Sequence, residues 1–195
     1  MHSGPGPAGV AAAGRRPVEA SGPTTTTYDE GTTMTFPVLP TRDGDRPRTG
    51  PEVPHLQLTQ TSPAQVRDEL LQWMDAALPG TTWGRSKVSA PSSRALFLDG
   101  AAPAPGAVLL PPHGDEEFAH VHADGSLHLA LDPAGHAVFL SSGWGEKHPL
   151  YDHGINVVML YAPRDRTELD VAKKVIGASY AYATGRAPVS GAAAA

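Results

Sequence analysis

The chain has 195 residues, a formal net charge of −5 and no cysteine. That length holds one domain of ordinary size plus tails; the acidic balance argues against a nucleic-acid-binding face, and the absence of thiols excludes disulfides, thiolate metal sites and cysteine nucleophiles. No stretch approaches the roughly 20 apolar residues of a membrane span, and the Gly/Pro/Ala-rich start lacks the apolar core of a secretory signal, so the expected location is the cytoplasm, with neither membrane nor nucleic acid as partner.

Residues 1–50 contain 8 Gly and 7 Pro, with four consecutive threonines at 24–27 and few large apolar residues. Such a composition buries too little surface to offset the entropy of ordering, so a disordered tail is expected over 1–50. Order is expected from about residue 55. Ser62, Pro63 and Gln65 read as helix N-cap, first helical position and capping-box residue. Val66, Leu70, Trp73, Met74 and Ala77 follow at helical spacing, a core stripe that Pro79-Gly80 ends. Residues 81–84, 87–90 and 94–99 read as two or three strands with a turn at Pro91-Ser92-Ser93. A proline-broken loop follows over 100–114, in which 107–110 could form a short strand.

Residues 116–131 read as a hairpin turning at Asp124-Gly125. Side chains alternate along a strand, so His120 and His122 share a face. A two-residue loop would leave His128 on the opposite face. A three-residue loop, Ala123-Asp124-Gly125 with Gly125 left-handed, pairs His120 with His128 and His122 with Ser126. It also collects Ala119, Val121, Leu127, Leu129 and Leu131 behind them, the division a half-buried antiparallel sheet requires. The expected polar face is therefore Phe118, His120, His122, Ser126 and His128.

Beyond the hairpin, 133–142 suits one or two helical turns, 143–150 a glycine-containing loop and 156–162 a central strand. Asp165 with Glu168 three residues on reads as a second helix start, and Leu169, Ala172, Ile176, Ser179, Tyr180 and Ala183 repeat at helical spacing up to Gly185. The expected fold is α+β, an antiparallel sheet with N- and C-terminal helices packed on one face, spanning 55–185 and followed by a disordered tail over 186–195. His55, His113, His136 and His153 have no partners in sequence and read as surface residues. Tyr161 reads as core.

Four blocks occur in order at compatible spacing: Phe118-Ala119-His120-Val121-His122, Ser126 to Leu131, Gly143-Trp144-Gly145-Glu146-Lys147-His148-Pro149-Leu150, and Leu160 to Asp165. Together they resemble the luciferase domain of bioluminescent fungi and its bacterial relatives, over about residues 55–184. The resemblance implies an oxygenase: dioxygen adds to an enolisable hydroxylated pyrone of the hispidin type and carbon dioxide is lost, with no organic cofactor. The chain departs from the fungal pattern in lacking the N-terminal membrane segment and in its shorter hairpin loop.

Dioxygen reacts directly with an electron-rich enolate, so such a site must remove a proton and hold an anion. Neutral histidine suits the first task and a cationic or N–H donor the second. His120, His122 and His128 are the candidate catalytic groups, with Glu117 to orient one of them. Trp144, His148, Arg164 and Phe118 are the candidate substrate-binding groups, although Trp144 equally suits core packing, His148 a loop-fixing bond and Arg164 a pair at the helix start. No cofactor is expected on this reading. The competing chemical reading is a divalent metal on His120, His122 and His128, and the plainest is a polar sheet face satisfied by its neighbours. Two functions follow: an oxygenase using dioxygen and a small phenolic or pyrone-like metabolite, or a non-catalytic module that binds a small molecule or metal on the same face.

Overall fold

The computed structural model describes residues 1, 25–27, 33–110 and 117–188. His113, Asp115, Glu116, the residues after 188 and most of the first 35 lie outside that set. Strands β1 (Thr25–Thr27) and β2 (Thr33–Thr35) form a small antiparallel pair. The main body is α1 (Ala64–Ala77), β3 (Thr81–Arg85), β4 (Arg94–Leu98), β5 (Glu117–Val121), β6 (Leu127–Leu129), α2 (Pro133–Ser141), β7 (Gly145–Lys147), β8 (Val158–Leu160) and α3 (Arg166–Thr184). The six strands β3 to β8 form one antiparallel sheet in the order β3-β4-β5-β6-β8-β7. This is the α+β architecture expected, with helices at both ends of the main body.

The hairpin takes the three-residue loop. His120 pairs with His128 and Val121 with Leu127, and the His122 N–H donates to Ser126 O at 2.8 Å. Gly125 has φ +91°, and a Cβ there would lie 2.4 Å from Ser62 Oγ, so the position is closed to other residues by conformation and by space. Asp124 clamps the turn through Ser126 N–H (2.7 Å) and reaches Gln57 N–H (3.2 Å).

Leu127, Leu129, Ala119 and Val121 are buried in the hydrophobic core with Leu70, Met74, Leu169, Val175 and Ile176 of the helices. On α3, Ser179 donates to Ala130 O and Tyr180 to Pro79 O, both at 2.7 Å. Asp165 caps Glu168 N–H at 2.9 Å, and the Glu168 carboxylate reaches back past the cap to accept from Arg164 N–H at 2.9 Å. Gly185, at φ +70°, closes the helix.

The structure corrects several local expectations. Phe118 leaves the histidine face: Leu96 pairs with Ala119 but Phe97 with Glu117, a β-bulge that sends Phe118 against the Tyr180 ring and turns Glu117 toward His120. Ser62 makes no helix cap; its hydroxyl donates to Pro163 O at 2.6 Å. Residues 87–90 and 107–110 are not strands, whereas β7 lies inside the predicted 143–150 loop, because Glu146 pairs with Met159 at the sheet edge. The domain also begins earlier than residue 55. Phe36 packs on the core, Arg42 N–H donates to Ser142 O (2.9 Å), and Trp144 Nε1–H donates to Pro40 O (2.6 Å).

Gly145 marks how tightly β7 is seated, since a Cβ there would lie 2.0 Å from Met159 O and 2.2 Å from the Phe139 ring. Gly145→Ala is expected to lower the unfolding free energy by about 2–3 kcal/mol in denaturant titration, because backbone and ring must both move.

Candidate functional site

The bulge in β5, the hairpin register and the segment before α1 bring together residues far apart in the chain. Glu117 is buried and accepts from Ser86 Oγ–H (2.8 Å), Lys87 N–H (3.1 Å) and His120 Nδ1 (2.8 Å). His120 Nε2 lies 3.0 Å from His128 Nδ1, and His128 Nε2 lies 3.1 Å from His55 Nδ1. His55 Nε2 then meets Glu146 Oε1 at 2.7 Å. A chain of three imidazoles thus runs from one buried carboxylate to another.

Its ends fix its tautomers. An ionised carboxylate only accepts, so His120 carries its proton on Nδ1 and His55 on Nε2, leaving lone pairs at His120 Nε2 and His55 Nδ1. Both lone pairs face His128. Burial first, then the neighbouring imidazoles, holds His128 well below the ordinary 6.5. A neutral His128 has one N–H to share between His120 Nε2 and His55 Nδ1.

His122 stands beside this chain, its ring 5.0 Å from that of His120 and 4.6 Å from that of His128. Its Nδ1 bonds Ser126 Oγ at 2.9 Å, and its Nε2 is buried with no partner among the described residues. Burial brings its pKa down to about 3. His148 is half-buried, and its Nδ1 accepts from Leu150 N–H at 3.2 Å. Burial, then His55 and His120, brings it to about 4. It is therefore neutral near pH 7, with Nε2 as its N–H donor. Two sets of ring nitrogens lie within 4.8 Å of one another and could hold a metal: His120, His122 and His128, and His55, His128 and His148.

A cavity of about 290 Å³ opens onto these rings. His55, His120, His128 and His148 form its polar wall, while Val53, Pro54, Val88, Leu110, Ile155 and Val157 supply apolar sides. A flat, mostly apolar molecule with one polar edge fits this division.

The structure therefore groups Glu117, His120, His122, His128 and His148. It does not bring Trp144, Arg164 or Phe118 to the cavity wall. Trp144 is buried under the Arg42 guanidinium, and Arg164 is engaged with Glu168, Gln60 and Asp43 O at the start of α3. One expected bystander enters instead. His55, read as a surface residue, is 3% exposed, and Glu146 anchors it. Its separations of 73 residues from His128 and 91 from Glu146 left no local pattern to read. His136 is also buried, against Tyr151 OH.

Glu146 is itself held by Tyr161 OH (2.7 Å), Thr49 Oγ1 (2.7 Å) and Arg46 Nε (3.0 Å). Burial alone would raise this carboxyl, but the bonds from His55, Tyr161, Arg46 and Thr49 outweigh it and bring its pKa from 4.5 to about 2. The resulting stabilisation is complete above pH 4.5 and disappears as pH falls toward 2. Glu146→Gln is expected to cost about 2–3 kcal/mol at pH 7, and unfolding titrations should show wild type and variant converging between pH 4.5 and 2. A gap that stays constant with pH would contradict the assignment.

Comparison with known proteins meets this geometry. Residues 115–179 match the luciferase domain family, a span holding Glu117, His120, His122, His128, Glu146 and His148. The chain is 30% identical over 168 residues to a luciferase of Armillaria mellea, covering 76% of the chain and 62% of that protein. It is 29% identical over 163 residues to a luciferase of Neonothopanus nambi, covering 75% and 61%. The chain thus spans about three-fifths of the length of these relatives. No solved structure matches. Among the described residues, no helix is long and apolar enough to cross a membrane. The chain is thus similar to the fungal luciferases over three-quarters of its own length and carries a match to the luciferase domain family.

Proposed function

We propose that the protein is a luciferase-like oxygenase that joins dioxygen to a small enolisable phenolic or pyrone-like metabolite in the cavity beside the histidine chain. The observation that carries this reading is the division of that cavity into apolar sides and one wall of imidazoles. Its volume of about 290 Å³ lies at the small end of ligand sites. The likeness to luciferases supports the reaction class, and the geometry supports the division of labour.

His55 takes the hydroxyl proton of the substrate on Nδ1, exchanging its contact with His128 for one with the substrate. Its Nε2–H is committed to Glu146, which stays ionised near neutrality and balances the imidazolium that forms. His148, its Nδ1 occupied by Leu150 N–H, presents an N–H that holds the developing enolate oxygen. The enolate then supplies the electron pair of the new carbon–oxygen bond, and dioxygen is reduced to the peroxide level. Dioxygen is thereby the only oxidant, and no external reductant is consumed. The apolar sides keep water from the enolate and the peroxide.

Oxygen uptake with a series of hydroxypyrones and hydroxylated phenolics tests the reading. Wild type is expected to consume dioxygen with at least one of them, and His55→Ala to lose about 10²–10⁴ in kcat. Ile155→Trp, which fills the cavity without replacing a histidine, is expected to raise KM at least about tenfold by excluding substrate. Uptake unchanged by both substitutions would contradict the proposal, as would ligand binding without turnover of any compound in the series.

A further inference from the structure

We infer that His120, His122 and His128 form a binding site for one divalent first-row transition-metal ion, with Glu117 orienting the first of them. Two features of the geometry meet here. The first is His122 Nε2, a ring nitrogen shut away from solvent and left without a partner while the other ring nitrogen is held by Ser126. An unsatisfied buried nitrogen is unfavourable, and coordination satisfies it.

The second is the pairing of His120 with Glu117, which fixes the proton on Nδ1 and turns the Nε2 lone pair toward His128. A carboxylate behind a ligating imidazole sets ring orientation and raises its basicity.

The spacing agrees. Two nitrogens each 2.0–2.1 Å from a common ion, at roughly 90–110° to one another, lie about 2.9–3.4 Å apart, and His120 Nε2 and His128 Nδ1 are 3.0 Å apart. Three imidazoles without thiolate or coordinating carboxylate suit Zn, Fe, Co or Cu rather than Mg or Ca. The alternative set, His55, His128 and His148, is weaker because Leu150 N–H occupies His148 Nδ1 and leaves the proton on Nε2. Between the two chemical readings the sequence left open, the geometry favours the metal. Since His120 and His128 also line the cavity, the ion borders the substrate. Its binding is nonetheless measurable without turnover, so failure of this inference and failure of the proposed reaction are separable.

The test uses the full chain without a histidine tag, stripped with a chelator. Zn²⁺ binding is measured by calorimetry, and Co²⁺ binding by its visible ligand-field absorption. One equivalent is expected, with Zn²⁺ raising the unfolding midpoint. His122→Ala should weaken binding at least about a hundredfold and abolish the cobalt spectrum. Glu117→Gln, which keeps the side-chain shape, should weaken it about 10–100-fold, and His148→Ala should leave it within a few-fold of wild type. Circular dichroism identifies variants that fold; should His122→Ala fail to fold, the Glu117→Gln and His148→Ala results decide the matter. No binding by wild type, binding indifferent to folded His122→Ala, or binding lost in His148→Ala but kept in Glu117→Gln would overturn the inference.

Discussion

The register that sets His120 opposite His128 is the constraint on which the site depends. Side chains alternate across a sheet, so a slip of one residue would carry His128 to the helix-packed face and expose Leu127 and Leu129. Both leucines are fully buried in the core against α1 and α3, so the packing of one face enforces the chemistry of the other. The turn reinforces it from outside, through Asp124 clamping Ser126 N–H and through Gly125 seated on Ser62 in a left-handed conformation. Register, core and turn therefore agree, and the histidine wall inherits its precision from apolar burial.

What the hairpin cannot supply is a counterpart on the far side of His128. That comes from the segment before α1 and from the edge strand β7, which meet where His55 bonds Glu146. Arg46 and Thr49 reach the same carboxylate from the N-terminal side, and Tyr161 reaches it from the end of β8. A buried carboxylate is costly unless its lone pairs are filled, and here four donors fill them. The segment over 36–50 is therefore part of the site's support, and the bonds that stabilise it also orient His55.

Most of the fold was legible because its periodicities are local. The helical stripe from Val66 to Ala77, the Asp165–Glu168 start of α3 and the in/out alternation of the hairpin each lie within one element, and the hairpin register followed from choosing the loop that separates leucine from histidine. Errors fell where a tertiary contact overrode the local rule. A single extra residue in β5 sent Phe118 to the core and Glu117 to the site. Ser62 spent its hydroxyl on Pro163 O rather than on its own helix. Trp144 and Arg164, polar-edged residues in suggestive motifs, turned to Pro40 O and Glu168. The half of the site that went unseen, His55, depends on pairings across 73 and 91 residues that no window of sequence contains.

The central claim is that two carboxylates fix the imidazole tautomers so that lone pairs converge on His128. Long-range proton–nitrogen correlation spectra of ¹⁵N-histidine-labelled protein near neutral pH read those tautomers directly. The account predicts His120 protonated on Nδ1 and His55 protonated on Nε2, each with an acceptor nitrogen opposite. The reverse tautomers at either ring would contradict it, since the carboxylates would then not be setting the direction of the chain.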